Sequence, residues 1–345
     1  MHRGKTSSVW ESIHKTTGNR FAAKVFERRY LSETQDHEAQ QEASVLQQLD
    51  QLAPGTIHLI DWFDEPTHLY LVTDYASEDL LHRIHKRGPL TEGQAQKLAR
   101  SLVMGLKHVH DCDICHRNVR PENILLEDVE DGPALLADFG AAVCMAYDAD
   151  GERFMLTERC GTNAYTAPEI LQRHPYDTQA DMWSVGVVLY YAMVGVRPFE
   201  DKDSKVLFQR IVKADYRFDP QMWYKCSRSA KRFISSLLHV DPQVRMTADE
   251  ALDHPWISDV GSATSNRRAD SVSAMSPAQT LSSSPPTKKF KSKRLSKVWK
   301  AFARPGNKRQ QEQVVEDDTQ SMTSRTISLL SSDAAANNNR TSPQT

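Results

Sequence analysis

What this chain lacks narrows it first. No apolar run is long enough to cross a membrane: the nearest, Val185 to Val196 (VGVVLYYAMVGV), is twelve residues, against the ~18–20 that a helical span needs. A soluble protein is therefore expected. The start, MHRGKTSSVW, carries no apolar signal segment, and the five cysteines are an odd number. Both features argue against a disulfide framework and for a reducing compartment, cytoplasm or nucleus. Cys112 and Cys115 form one C-x-x-C, but Cys144, Cys160 and Cys226 are scattered and supply no second pair for zinc. No internal repeat is present, and nothing in the sequence points to a specific nucleic acid.

Charge is what the chain distributes unevenly. Beyond residue 260 there are 14 Lys+Arg and 6 Asp+Glu, a net of +8; the whole chain is −2, so residues 1–260 carry −10. A basic tail follows an acidic domain. From about Ser262 the composition shifts to Ser, Thr, Asn, Pro and Lys. Such sequence cannot bury enough apolar surface to offset its ordering entropy, so the tail is expected to be mostly disordered.

Before the tail, periodicity separates two kinds of structure. Val9-Trp10, a Thr17-Gly18-Asn19 turn and the apolar run Phe21 to Phe26 read as strands, and Leu69 to Val72 as another. Ala39, Ala43, Leu46 and Leu49 repeat at helical spacing over residues 33–49. Thr91 opens a helix to about His110, with Leu98, Leu102, Leu106 and Val109 on one face. Ile124 to Leu126 and Ala134 to Leu136 read as a hairpin, and the pattern is helical from Asp181 to about Trp256. Strand-rich then helix-rich order predicts an α+β protein in two lobes.

The chemistry gathers around His116 to Asn123, HRNVRPEN, with Asp138-Phe139-Gly140 following. Before it come Ala22-Ala23-Lys24 and a helical Glu42 eighteen residues past the lysine. After it come Gly161-Thr162, Ala167-Pro168-Glu169, Asp181 to Gly186 (DMWSVG) and Arg245. Singly each motif is weak; in this order and spacing the chain resembles the eukaryotic protein kinases, and its domain ending looks like the calcium/calmodulin-dependent serine/threonine group. The resemblance covers residues 1–258 and implies a bilobal kinase fold: a small β-rich lobe to about 75, a large helical lobe over about 76–258, and a tail over 259–345.

The resemblance also implies roles. Lys24 faces the α- and β-phosphates of ATP, and Glu42 holds its ammonium; Asp138 and Asn123 ligate Mg²⁺. Gly4, Val9 and Ala22 line the nucleotide, Thr73 stands at the back of the adenine pocket, and Asp74 to Ala76 form the hinge. Glu169 and Arg245 are implied to be a buried ion pair anchoring the activation segment. In that segment Arg117 is the cation that ordinarily pairs with an activating phosphate, and Glu158, beside Thr157 and before Thr162, is placed to substitute for it. A solvated loop charge is the other reading of Glu158.

Three departures set limits. The glycine loop aligns as His2-Arg3-Gly4-Lys5-Thr6-Ser7-Ser8-Val9, keeping only Gly4 where backbone must approach phosphate closely; the family's first strand is expected to be missing. Arg120 stands for the loop lysine and keeps charge but not shape. The family's catalytic Asp is Asn118, a carboxamide that accepts no proton at any relevant pH. Two functions stay open: a protein serine/threonine kinase with impaired transfer, or a pseudokinase that binds ATP and scaffolds or regulates another protein.

The tail holds one more pattern. Residues 288–309, KKFKSKRLSKVWKAFARPGNKR, contain no acidic residue and place Leu295, Val298, Trp299 and Phe302 at helical spacing. A basic amphipathic helix of this kind suits a calmodulin target or a membrane surface, and the resemblance implies that it also inhibits the kinase domain; a nuclear localisation patch at KKFKSKR, or neither, are the other readings.

Overall fold

The computed structural model of the chain describes residues 2–3, 7–49, 54–126, 133–158, 161, 164–258 and 299–301. Its first part is a sheet with one helix: β1 (His2–Arg3), β2 (Ser7–His14), β3 (Arg20–Glu27), α1 (Glu33–Gln48), β4 (Leu59–Asp64) and β5 (His68–Asp74). The strands run antiparallel in the order β1-β2-β3-β5-β4. Gly18 turns β2 into β3 at φ 73°, a backbone conformation that favours glycine. Ser32 caps α1 by accepting a hydrogen bond from the Gln35 backbone N–H, while the Gln35 side chain returns to the Ser32 N–H. That reciprocal box fixes where the helix starts.

The second part is helical. It runs β6 (Glu78–Asp79), α2 (Leu80–Arg87), α3 (Glu92–Asp111), β7 (Ile114–Cys115), β8 (Ile124–Leu126), β9 (Ala134–Leu136), β10 (Val143–Cys144), α4 (Pro168–Leu171) and α5 (Gln179–Val194). It ends in α6 (Ser204–Val212), α7 (Arg228–Leu237), α8 (Ala248–Asp253) and α9 (Pro255–Ser258). The α5 helix is buried from Ala180 to Met193, as expected for a helix that is apolar all round. The amphipathic α3 buries Leu98, Leu102, Leu106 and Val109. Where the sheet meets this part, the backbones of Gly55 and Gly105 lie so close that a Cβ at Gly105 would stand 2.4 Å from the Gly55 carbonyl oxygen.

The fold is thus α+β with a β-rich and a helical lobe, and one expectation changes. Strand β1 falls on the first two positions of the glycine-loop alignment, His2 and Arg3. Of the predicted helix in 288–309, only Trp299 to Ala301 lie among the described residues, and they are extended, not helical. They form β11 (Trp299–Ala301), antiparallel to β2 with Trp299 opposite His14 and Ala301 opposite Ser12. The physical reason is an open edge. β1 covers only Ser8 and Val9 of the β2 edge that faces away from β3, and unpaired N–H and C=O groups farther along accept another strand regardless of helical periodicity. The rest of the tail, including the expected disorder, lies outside the described residues.

One ion pair ties the helical lobe together. Arg245, fully buried, meets the Glu169 carboxylate at 2.7 and 2.9 Å and donates to the carbonyls of His239 and Gln179 as well. Arg245→Met leaves the Glu169 carboxylate buried without its partner, so stability is expected to fall by about 3–5 kcal/mol. Chemical denaturation of the full chain checks this, and an unchanged midpoint would contradict it.

Candidate functional site

Alternation along the strands puts Lys24 in position. In register, Val9 faces Lys24 across β2–β3 and Ala22 faces Thr73 across β3–β5. Residues two apart share a face, so Val9, Ala22, Lys24 and Thr73 line one side of the sheet. Thr73 is buried, and the side chain of Asp74 turns to His58, accepting from its backbone N–H at 2.9 Å and lying 2.7 Å from Nδ1. Tyr75 and Ala76 follow as half-buried chain between β5 and β6. Gly4 and Thr162 lie outside the described residues.

The ammonium of Lys24 is the meeting point. Nζ lies 2.8 Å from both oxygens of Glu42 on α1 and 2.8 Å from Asp138 Oδ1. Burial works against the charge on Lys24, but the two carboxylates outweigh it and hold its pKa above the ordinary lysine value. For Asp138 burial again opposes ionisation, and Lys24 prevails, holding the carboxyl below the usual range. Burial pushes the Glu42 carboxyl up, and Lys24 offsets only part of this. Gly140 lies beside this centre, where a Cβ would make only ordinary contact with Glu42 Oε2, at 3.4 Å. The α1 helix is also fixed by Gln41, whose side chain donates to the Ala142 carbonyl at 2.8 Å.

The loop from His116 to Asn123 hangs on Asp181, a fully buried carboxylate at the start of α5. Its oxygens accept the backbone N–H groups of His116 (2.9 Å) and Arg117 (2.8 Å), and His110 Nε2 lies 3.0 Å away. Arg117 can therefore hold φ 62°, an uncommon value for a side chain-bearing residue. Burial lowers the His116 pKa. Its Nδ1 accepts from the Asn118 N–H (3.2 Å), so the proton sits on Nε2 and points to the Ala137 carbonyl (3.2 Å).

Asn118 presents its amide to the same centre. Nδ2 donates to Asp138 Oδ2 at 3.2 Å, and the Asn118 carbonyl accepts from Asn123 Nδ2 at 2.8 Å. Arg120 bends to Glu122, pairing Nε with Oε2 at 2.9 Å and Nη2 with Oε1. An opening beside the loop is lined by Asn118, Arg120, Gly161, Tyr165 and Ser184. In the activation segment Arg117 Nε donates to the Ala141 carbonyl at 2.6 Å, and Nη1 lies 3.4 Å from Glu158 Oε2. Thr157 is exposed.

The donor set suits one kind of cation. Among the described residues no cluster of three His, Cys, Asp or Glu could by itself hold a metal. Asp138 and Asn123 offer two hard oxygens, which fits Mg²⁺, an ion that keeps water and takes one or two protein ligands beside phosphates. Of the residues singled out from the sequence, Lys24, Glu42 and Asp138 come together and Asn123 reaches the Asn118 carbonyl; His110, the anchoring by Asp181, the Asn118–Asp138 contact and the Arg120–Glu122 pair were missed. For the last, the i,i+2 spacing in RPE was the only available signal.

Comparison with known proteins agrees with this geometry. Residues 1–257 match the protein kinase domain. Calcium/calmodulin-dependent protein kinase type I of Schizosaccharomyces pombe is 34% identical over 265 residues, 76% of this chain and 78% of that protein. Myosin light chain kinase A of Dictyostelium discoideum is 34% identical over 274 residues, 79% of this chain and 90% of that one. The calcium/calmodulin-dependent protein kinase cmkB of Emericella nidulans is 37% identical over 259 residues, 74% of this chain and 63% of its own length. A domain match over nearly all of the described chain, together with a helix glutamate and a DFG aspartate that both meet one lysine, makes this chain a member of the protein kinase family, similar to the calcium/calmodulin-dependent protein kinases.

Proposed function

We propose that the chain transfers the γ-phosphate of ATP to serine or threonine hydroxyls of proteins, slowly, because Asn118 stands where the proton acceptor is needed. The observation that carries this reading is the 2.8 Å convergence of Lys24 on both Glu42 and Asp138. That arrangement costs burial of charge and serves to meet phosphate. Lys24, kept protonated by its two carboxylates, offers positive charge to the α- and β-phosphates, and Glu42 stops it swinging away. Asp74 to Ala76 offer backbone to adenine, with Thr73 behind. Asp138 and Asn123 are the residues for Mg²⁺, which when bound neutralises charge on the phosphates.

The reaction needs a proton to leave the attacking hydroxyl. The Asn118 carboxamide orients but does not accept it. Losing a positioned base costs ~10²–10⁴ in rate, whereas phosphoryl transfer rests mainly on positioning and charge stabilisation. Slow turnover is the expected result. A second reading, an ATP-binding pseudokinase that scaffolds or regulates a partner, is favoured by one observation: Asn118 and Arg120 both face partners within the chain, Asp138 and Glu122. The printed names of the relatives make calmodulin the partner to try first on 288–309.

Two measurements test this. ATP affinity and labelled-phosphate transfer, measured together for wild type and Lys24→Met, are expected to fall by at least about tenfold in the variant; turnover unchanged by Lys24→Met would remove this site from the reaction. Glu158→Ala is expected to slow transfer by up to about fivefold, the worth of an exposed ion pair. An unaltered rate together with unaltered proteolysis of the segment would leave Glu158 a solvated charge.

A further inference from the structure

We propose that Asn118 is a positioning residue for Asp138: its amide holds that carboxylate and lowers the dependence of the cleft on a divalent cation, both for order and for nucleotide binding. The part concerning order is a property of the chain alone; the part concerning nucleotide rests on the function proposed above.

Both oxygens of Asp138 are engaged by side chains of the chain itself. Lys24 Nζ takes Oδ1 at 2.8 Å and Asn118 Nδ2 takes Oδ2 at 3.2 Å. Asp138 needs holding, because its backbone sits at φ 64°, ψ 75°, a left-handed conformation that residues with a Cβ rarely adopt. Phe139, fully buried beside His116, pins the next residue. Asn118 can do the holding because it is itself fixed, its N–H on His116 Nδ1 and its carbonyl under Asn123. Only the orientation with the NH₂ group toward Asp138 attracts; the amide oxygen there would oppose a carboxylate.

A carboxylate at position 118 is isosteric and would reverse the sign of this contact. Two anionic oxygens would stand about as close as the present 3.2 Å contact, with only a cation or a shared proton able to reconcile them. The cleft charge changes as well. Lys24, Glu42 and Asp138 sum to −1 when ionised, and a further aspartate would make −2. A triphosphate entering without its cation meets one negative charge fewer in this chain. Replacing the base is thus not only a loss: it exchanges a cation-requiring pair for a hydrogen bond.

The full-length chain tests this with Asn118→Asp and Asn118→Ala, in EDTA and in millimolar MgCl₂. Without nucleotide, the wild-type thermal midpoint is expected to be the same in both buffers. Asn118→Asp should melt at least about 3 °C lower in EDTA and recover in MgCl₂. Asn118→Ala, which loses the hydrogen bond without adding charge, should melt below wild type in both. With a fluorescent ATP analogue, the ratio of Kd in EDTA to Kd in MgCl₂ should be at least about tenfold larger for Asn118→Asp than for wild type. Equal magnesium dependence of wild type and Asn118→Asp in the melts, or Asn118→Ala melting with wild type in EDTA, would overturn the proposal. If wild type binds no nucleotide in either buffer, the nucleotide half fails along with the kinase reading, while the melts still decide the half concerning order.

Discussion

A single ammonium group joins three parts of this chain that are distant in sequence. Lys24 on β3, Glu42 on α1 and Asp138 at the end of the β8–β9 hairpin meet within hydrogen-bonding distance, with the Glu42 side chain only 5% exposed. A buried carboxylate is costly without a partner, so α1 is driven against the sheet and Asp138 is drawn to it from the helical lobe. Two other features accompany this contact: the Gln41 strut to Ala142 and the left-handed backbone of Asp138.

A second buried carboxylate does the corresponding work for the loop. Asp181 takes the backbone N–H groups of His116 and Arg117, which sets the direction in which Asn118 and Asn123 leave the loop. The two carboxylates divide the task. One positions the charge that phosphate would meet, and the other positions the groups that would face the hydroxyl. Asn118 stands between them, bonded to Asp138 and backed by Asn123. Changing its chemistry would therefore alter the contact that holds Asp138.

Much of this was legible because the motifs are local and ordered. The spacing of Lys24, Glu42 and Asp138 singled out three charges that meet in the fold, and Thr91 marked the start of α3. The misses are contacts that no local pattern encodes. Asp181 reads as the opening of an apolar helix until the fold brings it to His116, 65 residues away. Strand β4 was missed because its register with β5 shifts between Leu59 and Asp61, which breaks simple alternation. The helix α2 is short and carries five basic or histidine residues in LLHRIHKR besides its three apolar ones. Trp299 to Ala301 follow helical periodicity, yet an open strand edge, visible only in the fold, makes them extended. Asn118 was legible as a lost base and not as a hydrogen-bond donor to Asp138, because that role depends on the folded position of the DFG segment.

On the proposed function the charged centre is complete, and position 118 is the largest of the limits on the chemistry. The most direct measurement is the single-turnover rate of phosphate transfer from saturating ATP and Mg²⁺ to a serine peptide and to the chain's own tail, for wild type and Asn118→Asp. Restoring the carboxylate is predicted to raise the rate by ~10²–10⁴. A rate that stays at the wild-type level, in a variant that binds ATP and Mg²⁺ as tightly, would contradict the account.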